Sequence, residues 1–183
     1  MFGLRQSRYF GQAPNPALFA PLQGADTRLR GLEAADAPEY IRHLLRLSPE
    51  DRHARFHSMP SDEVLRDHAR RMDWDRVFIF GLFIRGVLRA TGELIPLADP
   101  ERGELSLSVE HDFQHKGVGK MLTLSVFLAA RRLGMTRLHI FYRRGNDAMQ
   151  ALARDIGARI RFVDGTMEAV VNLPRAPADK GRM

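Results

Sequence analysis

The chain has no cysteine among its 183 residues. That absence excludes disulfides, thiolate metal sites and a thiol nucleophile, and it fits a reducing compartment such as the cytoplasm. No apolar run approaches the roughly 20 residues that a membrane helix needs, and no secretory h-region is present, so no membrane partner is expected. Acidic residues are missing before Asp26. Those first residues are rich in Gly, Pro and Ala and read as a surface extension over 1–26, with Phe2, Tyr9, Phe10, Leu18 and Phe19 available to pack on a domain. The rest is ordinary: 44% hydrophobic and 27% charged residues describe a single globular domain long enough to bury a core.

Charge is unevenly spread. Residues 1–113 carry a net charge of −2 and residues 114–183 a net of +8, within an overall +6. The positive half begins at Gln114-His115-Lys116-Gly117-Val118-Gly119-Lys120. Nucleic acid is not the expected partner. The arginines are scattered among apolar residues, with neither an aromatic stacking platform nor a helix-turn-helix pattern. A polyanionic small molecule explains the placement better.

The glycine segment lies between two periodicities. Residues 104–109 alternate polar and apolar as a strand does, while Met121, Leu122, Leu124, Ser125, Leu128 and Ala129 recur at helical spacing. A strand that turns through glycine into a helix aims unpaired N–H groups and the positive end of the helix dipole at one point, which suits a pyrophosphate. It is not a Walker loop, because Met121 follows Lys120, and not a dinucleotide fingerprint, because Leu122 stands where the third glycine belongs.

Around it the pattern predicts a strand over 27–32, a helix from Asp36 to about Arg46, a second opened by Ser48-Pro49, and a third from Ser61 to Met72 or Trp74. A hairpin over 76–84 and 87–97 turns at Arg85-Gly86. After the loop helix come a strand over 136–142, a helix over 146–156, and a strand pair over 158–163 and 167–173 around Asp164-Gly165. The tail 174–183 is polar and reads as disordered.

This order of elements, with Gln-x-x-Gly-x-Gly at 114–119 and Asn146-Asp147-Ala148-Met149-Gln150-Ala151-Leu152 before Gly157-Ala158, resembles the GNAT superfamily of N-acetyltransferases over residues 27–173. The segment 47–56 is further similar to the acetyltransferase domains of bacterial protein-lysine acetyltransferases. The resemblance implies an α/β fold: a single domain with a mixed, mostly antiparallel sheet of six or seven strands flanked by helices and a central splayed strand pair. It implies acetyl-CoA as acyl donor and no metal. The pantetheine arm would pair with the backbone at Leu107, Ser108 and Val109. The pyrophosphate would rest on the segment from His115 through Lys116, Gly117, Val118 and Gly119 to Lys120, with Gln114 and Asn146 adjoining. The acceptor would be an amine, on a small molecule or a protein lysine, and late strands that pair in dimers of this family leave a homodimer open.

Glu104, ten residues before Gln114, matches the glutamate of the protein-lysine acetyltransferase group and is the first candidate for general base. A solvent-facing glutamate at a strand start would look the same. Glu93 and Glu110 are lesser candidates. Two family positions are not matched: Phe141 stands where N-terminal acetyltransferases of ribosomal proteins carry a glutamate, and Ala153 where many members carry a tyrosine acid. Tyr142 reads as a strand-end aromatic and His139 as structural. His111 and His115 flank a turn and lack metal-ligand spacing, and His43, His53, His57 and His68 read as solvated among arginine-rich helices. Gln114 is either a phosphate neighbour or a loop anchor. Two functions remain open: an N-acetyltransferase, and a catalytically silent acyl-CoA-binding sensor or interaction module of the same fold.

Overall fold

A computed structural model of the chain describes residues 26–174. The expectations for residues 1–25 and 175–183 therefore lie outside the described residues. Seven strands and five α-helices follow the predicted order: β1 Thr27–Gly31, α1 Ala37–Arg46, α2 Pro49–Phe56, α3 Asp62–Arg70, β2 Phe78–Ile84, β3 Val87–Pro96, β4 Arg102–Val109, α4 Val118–Arg132, β5 Arg137–Tyr142, α5 Asp147–Asp155, β6 Arg159–Val163 and β7 Thr166–Asn172. No helix among the described residues is long and apolar enough to cross a membrane.

Local chemistry sets most boundaries. The Ser48 and Ser61 hydroxyls accept the Asp51 and Val64 N–H groups at the starts of α2 and α3, each worth about 1 kcal/mol. Arg85 and Gly86 both have positive φ, 50° and 74°, as a two-residue hairpin turn matched to strand twist requires. β4 begins at Arg102, two residues before the expected 104, and two bounds shift together around Asp73. The third helix stops at Arg70 rather than Met72 or Trp74, and β2 begins at Phe78 rather than Arg76. Asp73 is the cause: its carboxylate accepts the Asp75 N–H, and its carbonyl accepts those of Arg76 and Val77. That local turn competes with both flanking elements. Asp36 does stand at the start of α1, yet its carboxylate binds Arg30 and the Glu33 N–H instead of capping the helix.

The sheet order is β1-β2-β3-β4-β5-β7-β6. Every pairing is antiparallel except β4 with β5, whose crossover is α4. That parallel pairing is short. Arg102, Gly103 and Glu104 pair with Arg137, Leu138 and His139, and then the strands separate. Beyond this point β4 pairs only with β3, as far as Val109, and β5 only with β7, as far as Tyr142. A wedge opens, with Glu104 and His139 at its apex.

The two sheet faces differ. One packs Leu94, Leu105, Leu107, Leu138, Ile140 and Tyr142 against Val118, Met121, Leu122 and Val126 of α4 and Ala153 of α5. The other packs Ile79, Phe83 and Leu88 against Tyr40, Leu44, Leu65 and Ala69 of α1 and α3. Strand alternation turns Thr91, Glu93, Glu104, Ser106, Ser108, Glu110, His139 and Glu168 away from the first core, toward the side that α1 and α2 cover.

Candidate active site

On that polar face buried groups form two linked sets. Glu93 is 1% exposed, and its oxygens accept from the Tyr40 hydroxyl at 2.9 Å and the Arg55 guanidinium at 2.6 Å. His43 is fully buried between Glu110, 3.1 Å from its Nδ1, and the Ser108 hydroxyl, 2.8 Å from its Nε2. The expectation of a solvated His43 is therefore corrected: α1 turns this residue inward onto β4. Burial pushes its pKa below the usual value against the pull of Glu110, so the ring is neutral. Burial alone would raise the Glu110 pKa, but bonds from His43, Arg89 and Arg46 outweigh it and hold Glu110 as a carboxylate. Nδ1–H of His43 then donates to Glu110, and Nε2 accepts from Ser108, whose oxygen lies 2.8 Å from the Thr91 hydroxyl. Ser108→Ala would strand a buried acceptor and is expected to cost about 1–3 kcal/mol. A lower urea midpoint at unchanged m-value is the readout.

The arginine-rich helices are likewise less solvated than their charge pattern suggests. Arg46 reaches Glu110, Arg55 reaches Glu93, and Arg52 donates to the Leu45 and Leu47 carbonyls and to Asp62.

Four carboxylates lie on this face: Glu93, Glu104, Glu110 and Glu168. Three are committed. Glu168 accepts from His139 and Arg161, and Glu93 and Glu110 are held as above. The carboxylate of Glu104, half-buried at the apex, makes no hydrogen bond or ion pair among the described residues. Burial raises its pKa above the usual carboxylate value; Arg55 opposes this, Glu93 adds to it, and His57 and His139 oppose it. An uncommitted carboxyl with a raised pKa at the apex of a wedge between strands has the properties of a general base.

On the other side of the apex the wedge leads to the glycine segment. Gly117 precedes α4 with φ of 78°, a left-handed conformation that costs any other residue strain. Its carbonyl takes the first helical bond, from Met121 N–H, so the donors of Val118, Gly119 and Lys120 point out of the helix start. A Cβ at Gly117 would meet nothing within 4 Å, and one at Gly119 only the tips of Leu152 and Leu107 at 3.9 and 4.0 Å. This open space before free N–H groups and a helix dipole fits a pyrophosphate. Lys116 folds back onto the Asp112 carbonyl, and Lys120 pairs with Asp155 at 3.6 Å, tying α4 to α5. Asn146 caps α5 through the Met149 N–H at 3.0 Å. Gln114 is an anchor: its amide donates to Asp51 at 2.7 Å and to the Val109 carbonyl at 3.0 Å, fastening the loop to α2 and β4. Leu107, Ser108 and Val109 lie on the β4 stretch that β5 leaves unpaired, and strand addition by an extended arm suits that edge.

The Glu93–Arg55, His43–Glu110 and His139–Glu168 pairings are not visible in sequence. They join residues 38, 67 and 29 positions apart, and only the alternation of polar residues on β4 hinted at them.

The GNAT acetyltransferase domain model matches residues 26–159. No curated protein matches the chain. Among solved structures, the GNAT domain of S. lividans PAT is 21% identical, with 80% of this chain and 90% of that one covered and a TM-score of 0.73. The ribosomal-protein-S18-alanine N-acetyltransferase from Escherichia coli is 17% identical, with 85% and 99% covered and a TM-score of 0.63. The PaiA N-acetyltransferase from Thermoplasma acidophilum, in complex with coenzyme A, is 18% identical, with 80% and 99% covered and a TM-score of 0.63. At these identities the likeness concerns the fold.

Proposed function

This chain belongs to the GNAT acetyltransferase family, and we propose that it transfers an acetyl group from acetyl-CoA to a primary amine, on a protein lysine or a small molecule. The donor would enter the wedge between β4 and β5. Its pantetheine arm would lie along Leu107, Ser108 and Val109, and its pyrophosphate on the donors from His115 to Lys120, with Asn146 beside it. The amine would approach from the polar face covered by α1 and α2.

One observation carries the reading: the single uncommitted carboxylate of that face, Glu104, stands where the parallel strands part. There Glu104 takes the proton that the amine loses as its nitrogen bonds to the thioester carbon, and the sulfur leaves with the C–S electron pair. Glu93 is the weaker candidate because Tyr40 and Arg55 occupy its oxygens. Release of free CoA from acetyl-CoA, measured across a panel of primary amines, tests the proposal. Tight acetyl-CoA binding with no release above the buffer rate for any amine would favour the silent binding module.

The donor loop has its own test. Gly117→Glu fills the open space, strains the positive φ and adds a like charge to a polyanion site. It is expected to weaken acetyl-CoA binding at least about 100-fold by calorimetry, roughly 2.7 kcal/mol. Unchanged affinity in a folded variant would remove the loop from the donor site.

A further inference from the structure

His139 is one of two buried histidines on the polar face, and its bonding is incomplete. The residue is 8% exposed. Its Nδ1 lies 2.8 Å from Glu168 Oε1, and Glu168 Oε2 in turn receives Arg161 Nε at 2.7 Å. Phe141 stacks alongside, its ring plane 16° from the imidazole. A carboxylate can only accept, so Nδ1 carries a hydrogen, and in the neutral ring Nε2 then holds the lone pair. That Nε2 is shielded from water and has no partner among the described residues. His43 has both nitrogens bonded. A buried, unpaired ring nitrogen is costly to keep and calls for an explanation.

The register supplies one. His139 pairs laterally with Glu104, the last pair before β4 and β5 part, and both side chains stand on the same face. His139 is therefore flanked in register by two carboxylates: Glu168 on β7, hydrogen-bonded to the ring, and Glu104 on β4, which makes no hydrogen bond or ion pair with it. The other charged groups near Glu104 are Arg55 and His57 from α2 and its end, and Glu93 from β3. The charged group at the far side of Glu168 is Arg161 of β6.

An alkyl amine presents a proton problem that one carboxylate does not solve. With a pKa near 10 for a lysine-type amine, it arrives as an ammonium and must lose two protons to become an amide. We propose that His139 is a proton relay acting through Glu104, so that a single carboxylate removes both protons within one turnover. This rests on the reading of Glu104 as base. In the first step R–NH3+ gives a proton to the Glu104 carboxylate and becomes R–NH2. Glu104 passes that proton to His139 Nε2, and Glu168 balances the imidazolium. The amine lone pair then forms the C–N bond while the carbonyl π pair moves to oxygen, and Glu104 takes the second proton. The oxyanion re-forms the carbonyl, the C–S bond breaks, and the thiolate recovers a proton from Glu104. His139 then hands its proton back to Glu104, which is partly exposed and releases it to solvent. The sum is R–NH3+ plus acetyl-CoA giving R–NH–acetyl, CoA–SH and one H+.

His139 is a positioning residue in this scheme, because it acts on the amine only through Glu104. The test compares two acceptors at pH 7 in wild type, His139→Gln and Glu168→Gln: an alkyl amine, protonated at that pH, and an aromatic amine, which arrives neutral and loses one proton. His139→Gln is expected to lower kcat for the alkyl amine at least about 30-fold, within the range of general acid–base effects, and to leave kcat for the aromatic amine within about threefold. Glu168→Gln should show the same selectivity more weakly. Equal losses on both acceptors would mean a structural role and overturn the relay. A second readout needs no acceptor: 15N spectra of the free wild-type protein should show His139 with its hydrogen on Nδ1, and Glu104→Gln should shift its Nε2 signal. A hydrogen on Nε2, or an Nε2 signal indifferent to Glu104→Gln, overturns the relay as well. A wild-type protein that releases CoA to no amine sinks the acetyltransferase reading itself, while the spectra still decide the coupling.

Discussion

Glu104→Gln should lower kcat for CoA release about 10²–10⁴-fold, the usual worth of a positioned general base, and leave acetyl-CoA affinity within about twofold. The substitution keeps the shape of the side chain and removes only its ability to take a proton. The pH profile carries the sharper signature. Burial first, with Glu93 adding and Arg55, His57 and His139 opposing, raises the Glu104 pKa above the usual carboxylate value of 4.5. Only the ionised form is a base, so the wild-type rate should climb as pH rises through that elevated value, and the variant should lack this limb. Stability moves in the opposite sense. A carboxyl whose folded pKa exceeds its unfolded one binds its proton more tightly in the native state. Native stability therefore falls as pH rises from the unfolded value to the folded one, and the loss persists above it. Glu104→Gln escapes that loss, so its Tm at pH 7 should be no lower than that of wild type. A variant with intact turnover across the pH range would remove Glu104 from the chemistry.

Arg55→Met is expected to have the largest effect on stability. Arg55 is 10% exposed and its guanidinium lies 2.6 Å from Glu93, which is 1% exposed. Removing one partner of a buried ion pair leaves an uncompensated charge and costs about 3–5 kcal/mol. At about 2–4 °C per kcal/mol for a domain of this size, Tm should fall by roughly 6–20 °C. The same arithmetic predicts rescue. Arg55→Met combined with Glu93→Gln removes both charges and keeps an acceptor for the Tyr40 hydroxyl, so most of the loss should return. A single variant that melts within about 2 °C of wild type would show that the pair does not anchor α2 to the sheet. The two substitutions also bear on Glu104 with opposite signs. Arg55 lowers the Glu104 pKa and Glu93 raises it, so Arg55→Met should move the rising limb of activity to higher pH and Glu93→Gln to lower pH.

These two residues illustrate what was legible in the sequence. Glu104 could be singled out because its spacing from Gln114 and its place on an alternating strand are local properties. Arg55 could not. In sequence it belonged to a mixed-charge helix, and such patterns usually mark a solvated face. Its burial depends on how α2 crosses β3 and β4, which no local window reports. The burial of His43 is illegible for the same reason: the helical period says which residues share a side, but not which side meets a polar stripe on a neighbouring strand. Likewise the apolar Met72 and Trp74 continue the period of α3 beyond its end, while the Asp73 turn that ends the segment is a competition between two local hydrogen-bond schemes.

The sequence by itself determined the order and type of the elements, the hairpin turns at Arg85-Gly86 and Asp164-Gly165, and the glycine segment that opens α4. Each follows from period, turn chemistry and the conformational freedom of glycine, which act over a few residues. Tertiary structure alone decided where β4 and β5 part, which of four carboxylates is left without a partner, and that His139 stands beside Glu104 with Glu168 behind it. Those are properties of register and packing between segments dozens of residues apart. Sequence therefore marked the glycine segment, whose chemistry is local, and folding assembled the polar face around Glu104.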